Sequence, residues 1–155
     1  MNTNYAGFWL RFVAALIDGI LLGAVIYPII TILGIGAVAN SAESMESMDE
    51  AQAMSAMGGM MAMGFATNAV VFVIWTLYYS LMESSSKQAS VGKMVLGLKV
   101  TDVNGNKLDF VKALIRNACK LISSFILCIG YIMAGFTEKK QALHDMIAST
   151  LVVKK

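Results

Sequence analysis

FVAALIDGILLGAVIYPIITILGIGAVANSA, residues 12–42, carries a single charge, Asp18, and lies between Arg11 and Glu43. About 20 apolar residues suffice to cross the hydrocarbon core of a bilayer, so this run spans with room for tilt. A second run, residues 51–82, lies between Glu50 and Glu83 and holds no charge. The two runs predict a membrane protein with spans over residues 8–36 and 59–82. Composition agrees: 57% of residues are hydrophobic, 14% are charged and the mean hydropathy is +0.68. A soluble domain carries about 25% charged residues. The competing reading, a cleaved signal ending at Ala37-Val38-Ala39, fails on length. An h-region runs about 7–15 residues, and Asp18 sits inside this one.

Charge distribution sets the expected orientation. Eleven of the twelve Lys and Arg residues follow position 86, whereas the acidic, Met-rich segment 37–58 holds Glu43, Glu46, Asp49 and Glu50 and no base. Loops rich in Lys and Arg stay cytoplasmic. The loop 83–110 is therefore expected inside a bacterial plasma membrane, segment 37–58 outside, and the N-terminus inside. The implied partner is the bilayer with its anionic head groups; nothing in the sequence suggests nucleic-acid binding.

The rest of the chain fills in a single domain over 1–155. Leu96, Leu98 and Val100 alternate with Gly97 and Lys99, and Asn104-Gly105 precedes Leu108 and Phe110. Alternation on both sides of Asn-Gly predicts a short cytoplasmic β-hairpin. From Val111 the period becomes helical. Lys112, Arg116 and Lys120 form a basic stripe opposite Leu114, Ile115, Ala118, Leu121 and Ile122, suited to an anionic leaflet. Residues 121–137 are uncharged, at the lower limit of about 17 residues for a span. They are expected to form a third embedded segment within 111–137, crossing in preference to a re-entrant bend near Gly130. The tail, 138–155, reads as an amphipathic helix with Ala142, Leu143, Met146 and Ile147 on one side. The fold class is all-α membrane protein, with two to three transmembrane or embedded helices, the short hairpin and amphipathic interfacial helices.

Ionisable groups inside spans are costly and mark candidate sites. Asp18 lies seven residues beyond Arg11, on nearly the same helix face and about 10 Å further along the axis. It must be neutralised by protonation or matched by a cation. Asn68 and Thr76 are its candidate neighbours on the second span. Arg11 has candidate partners in Glu83 and Asp145, and His144 and Arg116 are further supporting groups. Met54, Met57 and Met60 recur at a spacing of three, and thioethers suit Cu(I), but with no His or Cys nearby a metal site is not expected. Cys119 and Cys128 have neither disulfide nor metal spacing. No nucleotide loop, catalytic triad or zinc cluster is present. The chain is therefore read as a non-enzyme without a cofactor.

Several blocks resemble the RDD family of small bacterial membrane proteins. They are Tyr5-Ala6-Gly7-Phe8-Trp9-Leu10-Arg11-Phe12 with Asp18, Ser90-Val91-Gly92-Lys93-Met94-Val95-Leu96-Gly97-Leu98-Lys99-Val100-Thr101-Asp102, Ala113-Leu114-Ile115-Arg116-Asn117, and Gln141-Ala142-Leu143-His144-Asp145-Met146-Ile147-Ala148-Ser149-Thr150. The resemblance covers most of the chain outside 37–66. It implies that Arg11, Asp18 and Asp145 are the signature arginine and aspartates of an ion or proton site. It also implies transport, with cation/proton antiport suggested for some members. The expected function is transport of cations, protons or a small solute, through a homo-oligomer or with a membrane partner, because two or three spans enclose no path. The alternative is a non-transporting scaffold or assembly factor in which the Arg and Asp residues hold the fold.

Overall fold

A computed structural model of the chain describes residues 4–45, 49–125 and 129–155, with side-chain surroundings outside 33–48 and 124–129. The chain is mostly helical. In order it forms α1 (Phe8–Met45), α2 (Glu50–Glu83), α3 (Val91–Val95), β1 (Leu98–Asp102), α4 (Phe110–Ala118), α5 (Lys120–Phe125), α6 (Ile129–Ile132), a 3-10 turn (Met133–Gly135), α7 (Leu143–Ile147) and β2 (Thr150–Lys154). Two compact units result, one of residues 1–20 with 75–155 and one of residues 21–74.

The two long helices match the two predicted runs. Phe8–Ile32 and Glu50–Glu83 have mean hydropathies of 2.2 and 1.7 and are long enough to span, yet they bury only 11% and 6% of those windows. A soluble protein would cover such surface; a bilayer solvates it. What α2 does bury is the stripe Thr76, Tyr79, Ser80 and Glu83, polar positions at helical spacing. Helix α1 continues through Pro28, and the Thr31 hydroxyl donates to the carbonyls of Tyr27 and Pro28 at 3.0 Å each. The segment expected to link the spans is largely helical, since α2 begins at Glu50. Glu43, Glu46 and Cys128 lie outside the residues whose side chains the structure describes.

The larger unit is built around a small sheet. Strands β1 and β2 pair antiparallel, with Leu98 opposite Lys154 and Asp102 opposite Thr150. On the far edge of β2, Tyr5 bridges Val153, and the Ala6 N–H donates to the Val152 carbonyl at 2.8 Å. Leu98, Val100 and Val152 form the core with Ala6, Ala14, Leu108 and Ala113.

This sheet corrects the predicted hairpin. The Asn104-Gly105 turn exists: Gly105 has φ +84, and Asp102 Oδ1 accepts the N–H groups of Asn104 and Asn106 at 2.8 Å each. No strand follows it. Asp109 accepts the Val111 N–H at 3.2 Å, an N-cap that starts α4 at Phe110, and Leu108 drops into the core. The edge of β1 is filled instead by the chain's tail. The predicted helix over that tail is correspondingly short, ending before Ser149 at φ +51.

Two further expectations are overturned. The basic stripe of residues 111–122 does not face outward. Arg116 is 2% exposed, whereas Val111, Ile115, Leu121 and Ile122 lie at the surface. Helix α7 buries His144 and Asp145 and exposes Met146 and Ile147. The run 121–137 does not cross as one helix either. A Cβ on Gly130 would sit 3.0 Å from Cα of Ser123, whereas seven helical residues would separate them by about 10 Å. Helix α6 is folded back on α5.

Candidate functional site

Five elements of the larger unit deliver charged side chains to one buried place. Arg11 comes from the first turn of α1, Glu83 from the end of α2, Lys93 from α3, Arg116 from α4 and Asp145 from α7. They form a chain of alternating sign. Glu83 pairs with Lys93 through one oxygen and with Arg116 Nη1 at 2.5 Å through the other. Arg116 reaches Asp145 Oδ1 from Nε at 2.8 Å and Nη2 at 2.7 Å. Asp145 Oδ2 pairs with Arg11. Further hydrogen bonds tie in the neighbouring backbone and Asn117, whose buried Oδ1 has no partner among the described residues. Arg11 donates to the carbonyls of Ala6 at 2.9 Å and Lys140 at 2.5 Å, and Asn117 Nδ2 donates to Glu83 at 3.1 Å. Removing one partner from such a buried pair costs about 3–5 kcal/mol, because the other charge is left uncompensated.

Burial and partners set the charge states around the chain. Burial opposes ionisation of Asp145, but Arg116 and Arg11 outweigh it and hold the carboxyl well below its usual range. Burial also works against the Arg116 charge, yet Asp145 and Glu83 raise its pKa above the ordinary value. Burial lowers Lys93 despite Glu83 and brings Lys120 down to about 7. His144 is pushed down to about 3, chiefly by burial and against the pull of Asp145. It is therefore neutral at pH 7. Its Nε2 lies 3.4 Å from Asp145 Oδ1 and its Nδ1 3.2 Å from the Ser123 hydroxyl. That arrangement suits a proton on Nε2 with Ser123 donating to Nδ1.

Asp18 sits apart from this chain, fully buried. It accepts from Tyr78 Oη at 3.0 Å, Ser90 Oγ at 2.6 Å and the Gly92 N–H at 2.8 Å. Its predicted neighbours are not its partners. The Asn68 amide is exposed in the smaller unit and donates to its own helix at Gly64, 2.8 Å away. Thr76 is buried, and its carbonyl accepts from Ser80 at 2.6 Å. Met54, Met57 and Met60 remain exposed on α2.

A cavity of about 370 Å³ adjoins both groups. Phe8, Phe12, Trp75, Tyr79 and Tyr131 supply its aromatic walls, and Arg11, Asp18, Lys93, Arg116, Lys120 and His144 its polar lining. The Lys120 ammonium lies 3.8 Å from the centre of the Tyr79 ring, within cation–π range. The structure thus joins Arg11, Glu83, Arg116, His144 and Asp145, and sets Asp18 at the same cavity. Sequence reasoning missed Tyr78, Ser90, Gly92, Lys93, Asn117 and Lys120 as members. Ser90, Gly92 and Lys93 lay in a family-like block without an assigned role, and Lys120 was placed on a surface stripe.

Residues 5–149 match the family described as RDD family. An uncharacterized protein of Bacillus subtilis, YxaI, is 37% identical over 97% of both chains. An uncharacterized membrane protein of the same bacterium, YteJ, is 30% identical over 96% of this chain and 80% of its own length. The proline-rich antigen of Mycobacterium leprae is 28% identical over 59% of this chain and 36% of its own. No solved structure matches the chain.

Proposed function

The chain belongs to the RDD family, and from that premise we propose a plasma-membrane transporter of a small charged solute, with its binding site in the cavity at the ends of α1 and α2. The supporting observation is the 370 Å³ cavity, lined by Arg11, Lys93, Arg116 and Lys120 against the single carboxylate of Asp18. That volume falls within the range of about 300–1,000 Å³ typical of small-molecule sites. Of the solutes open on sequence grounds, this lining favours an anion over a metal cation. Glu83 and Asp145 each hold two bases. Asp18 already accepts three hydrogen bonds. In this reading the N-terminus and the unit carrying residues 75–155 face the cytoplasm, as the excess of Lys and Arg after position 86 favours. Two spans enclose no path, so transport requires a homo-oligomer or a membrane partner.

The test is solute movement in liposomes holding the purified protein, read by trapped dyes for pH, Na⁺, K⁺ and anions. The unaltered protein should dissipate an imposed gradient faster than empty liposomes, and Asp18→Asn should change that rate while remaining folded. Rates equal to empty liposomes for every species would leave the non-transporting scaffold as the reading.

A further inference from the structure

The larger unit is arranged inside out. Its interior holds the charged side chains of Glu83, Lys93, Arg116 and Asp145, groups that a domain in water keeps at its surface. Its outside carries large apolar ones. Val111 and Ile115 stand exposed one turn apart on α4, and Leu121 and Ile122 are exposed on α5. Helix α7 packs on both helices and exposes Met146 and Ile147. The 3-10 turn lies against the start of α1, where a Cβ on Gly135 would be 3.9 Å from Phe8 Cβ. The next residue, Phe136, is 86% exposed. Trp9, beside Phe8, is 73% exposed, and both belong to the apolar stretch Phe8–Ile32 that is long enough to span. Exposed charge in this unit is mostly basic: Lys87, Lys107, Lys139, Lys154 and Lys155 against Asp109 and Glu138 among the described residues. Such an excess complements anionic head groups.

We propose that the larger unit is sunk into the cytoplasmic leaflet, with acyl chains covering the outer faces of α4, α5 and α7. This goes beyond the transport reading and is independent of what the cavity binds. It shares only the orientation of that reading, which cysteine labelling tests separately. Lipid fits these faces better than a second copy of the chain. A standard interface covers about 800 Å² per partner, one face of a molecule. Here the exposed apolar side chains stand on α1, α4, α5, α7 and the 3-10 turn. Because α6 folds back on α5, the run from α4 to α7 enters the leaflet and leaves it on the same side. Helices suit that depth, since their backbone groups are satisfied internally.

The test places a nitroxide on single cysteines in a Cys119→Ser, Cys128→Ser protein, held in vesicles of phosphatidylcholine and phosphatidylglycerol in equal parts. The sites are Ile115→Cys on α4, Ile122→Cys on α5, Ile147→Cys on α7 and, as the aqueous control, Asn106→Cys in the exposed turn. Collision with oxygen, which concentrates in hydrocarbon, is compared with collision with a water-soluble nickel chelate. The three apolar sites should meet oxygen several-fold more often than the chelate, and Asn106→Cys should reverse that ratio. A chelate-dominated ratio at any of the three would show that helix bathed in water and overturn the inference. Low collision with both reagents would show protein covering the site, a second copy included, and overturns it equally. Val111→Cys replaces Ile115→Cys should that variant fail to fold.

Discussion

The backbone N–H of Gly92 donates to Asp18 Oδ1 at 2.8 Å, and α3 comes so close to α1 there that a Cβ on Gly92 would overlap the carbonyl of Ala14. The same Cβ would lie 2.9 Å from the Ala14 carbonyl carbon and 3.1 Å from Asp18 Cγ. Backbone on one side and a buried carboxyl on the other leave little room to relax. Gly92→Ala should therefore lower stability by about 1–3 kcal/mol or more, the usual cost of overpacking. A melting temperature equal to that of the unaltered protein would show that the two helices stand further apart.

Asp18→Asn should be tolerated, and Asp18→Leu should not. An Asn oxygen can keep Tyr78 and Gly92, while its amide faces Ser90, whose hydroxyl turns to accept. Leu would strand the buried Gly92 N–H, at about 1–3 kcal/mol for the lost partner. Thermal melts of the two variants check this, and equal losses would contradict it.

Arg11 and Asp145 are 134 residues apart in sequence and form a partly buried ion pair. Arg11→Ala and Asp145→Ala should each destabilise, Asp145→Ala more because it also releases Arg116. The double mutant should lose less than the sum, by about 0.5–3 kcal/mol. Additive losses in denaturant titrations would mean that the two groups do not interact.

Stability should fall with acid in two stages. His144 has a folded pKa of about 3, below its usual value of about 6.5. The unfolded chain therefore takes up its proton first, and stability declines as pH drops through that window. Asp145 is held well below its ordinary range. Its contribution is whole above about 3.9 and lost as pH falls further. Each group can add a slope of at most about 1.4 kcal/mol per pH unit. His144→Gln should postpone the onset of the acid loss from near pH 6.5 to near pH 4, measured by melting temperature against pH.

Cysteines placed in a Cys119→Ser, Cys128→Ser background report topology. Gln52 lies on the acidic side and Asn106 in the basic turn, both exposed. An impermeant thiol reagent applied to whole cells should label Gln52→Cys and spare Asn106→Cys. The reverse pattern would invert the proposed orientation.

The sequence by itself determined the two long apolar helices, because an uncharged run longer than a bilayer is a property of consecutive residues. It also showed Arg11, Asp18 and Asp145 as signature positions through the family-like blocks. Local signals were correct as far as they reached. Asn104-Gly105 made its turn. Pairing was a different matter. That β1 takes its partner from residues 150–154 depends on which strand is nearby after folding, and periodicity holds no information about it. The direction in which α4 and α7 face was decided by tertiary structure too. A helical pattern separates two faces without saying which one is solvated by lipid. Glu83 and Asp145, brought in from elements far apart in the chain, compensate Arg116 internally, so the charged face turned inward and the apolar one outward.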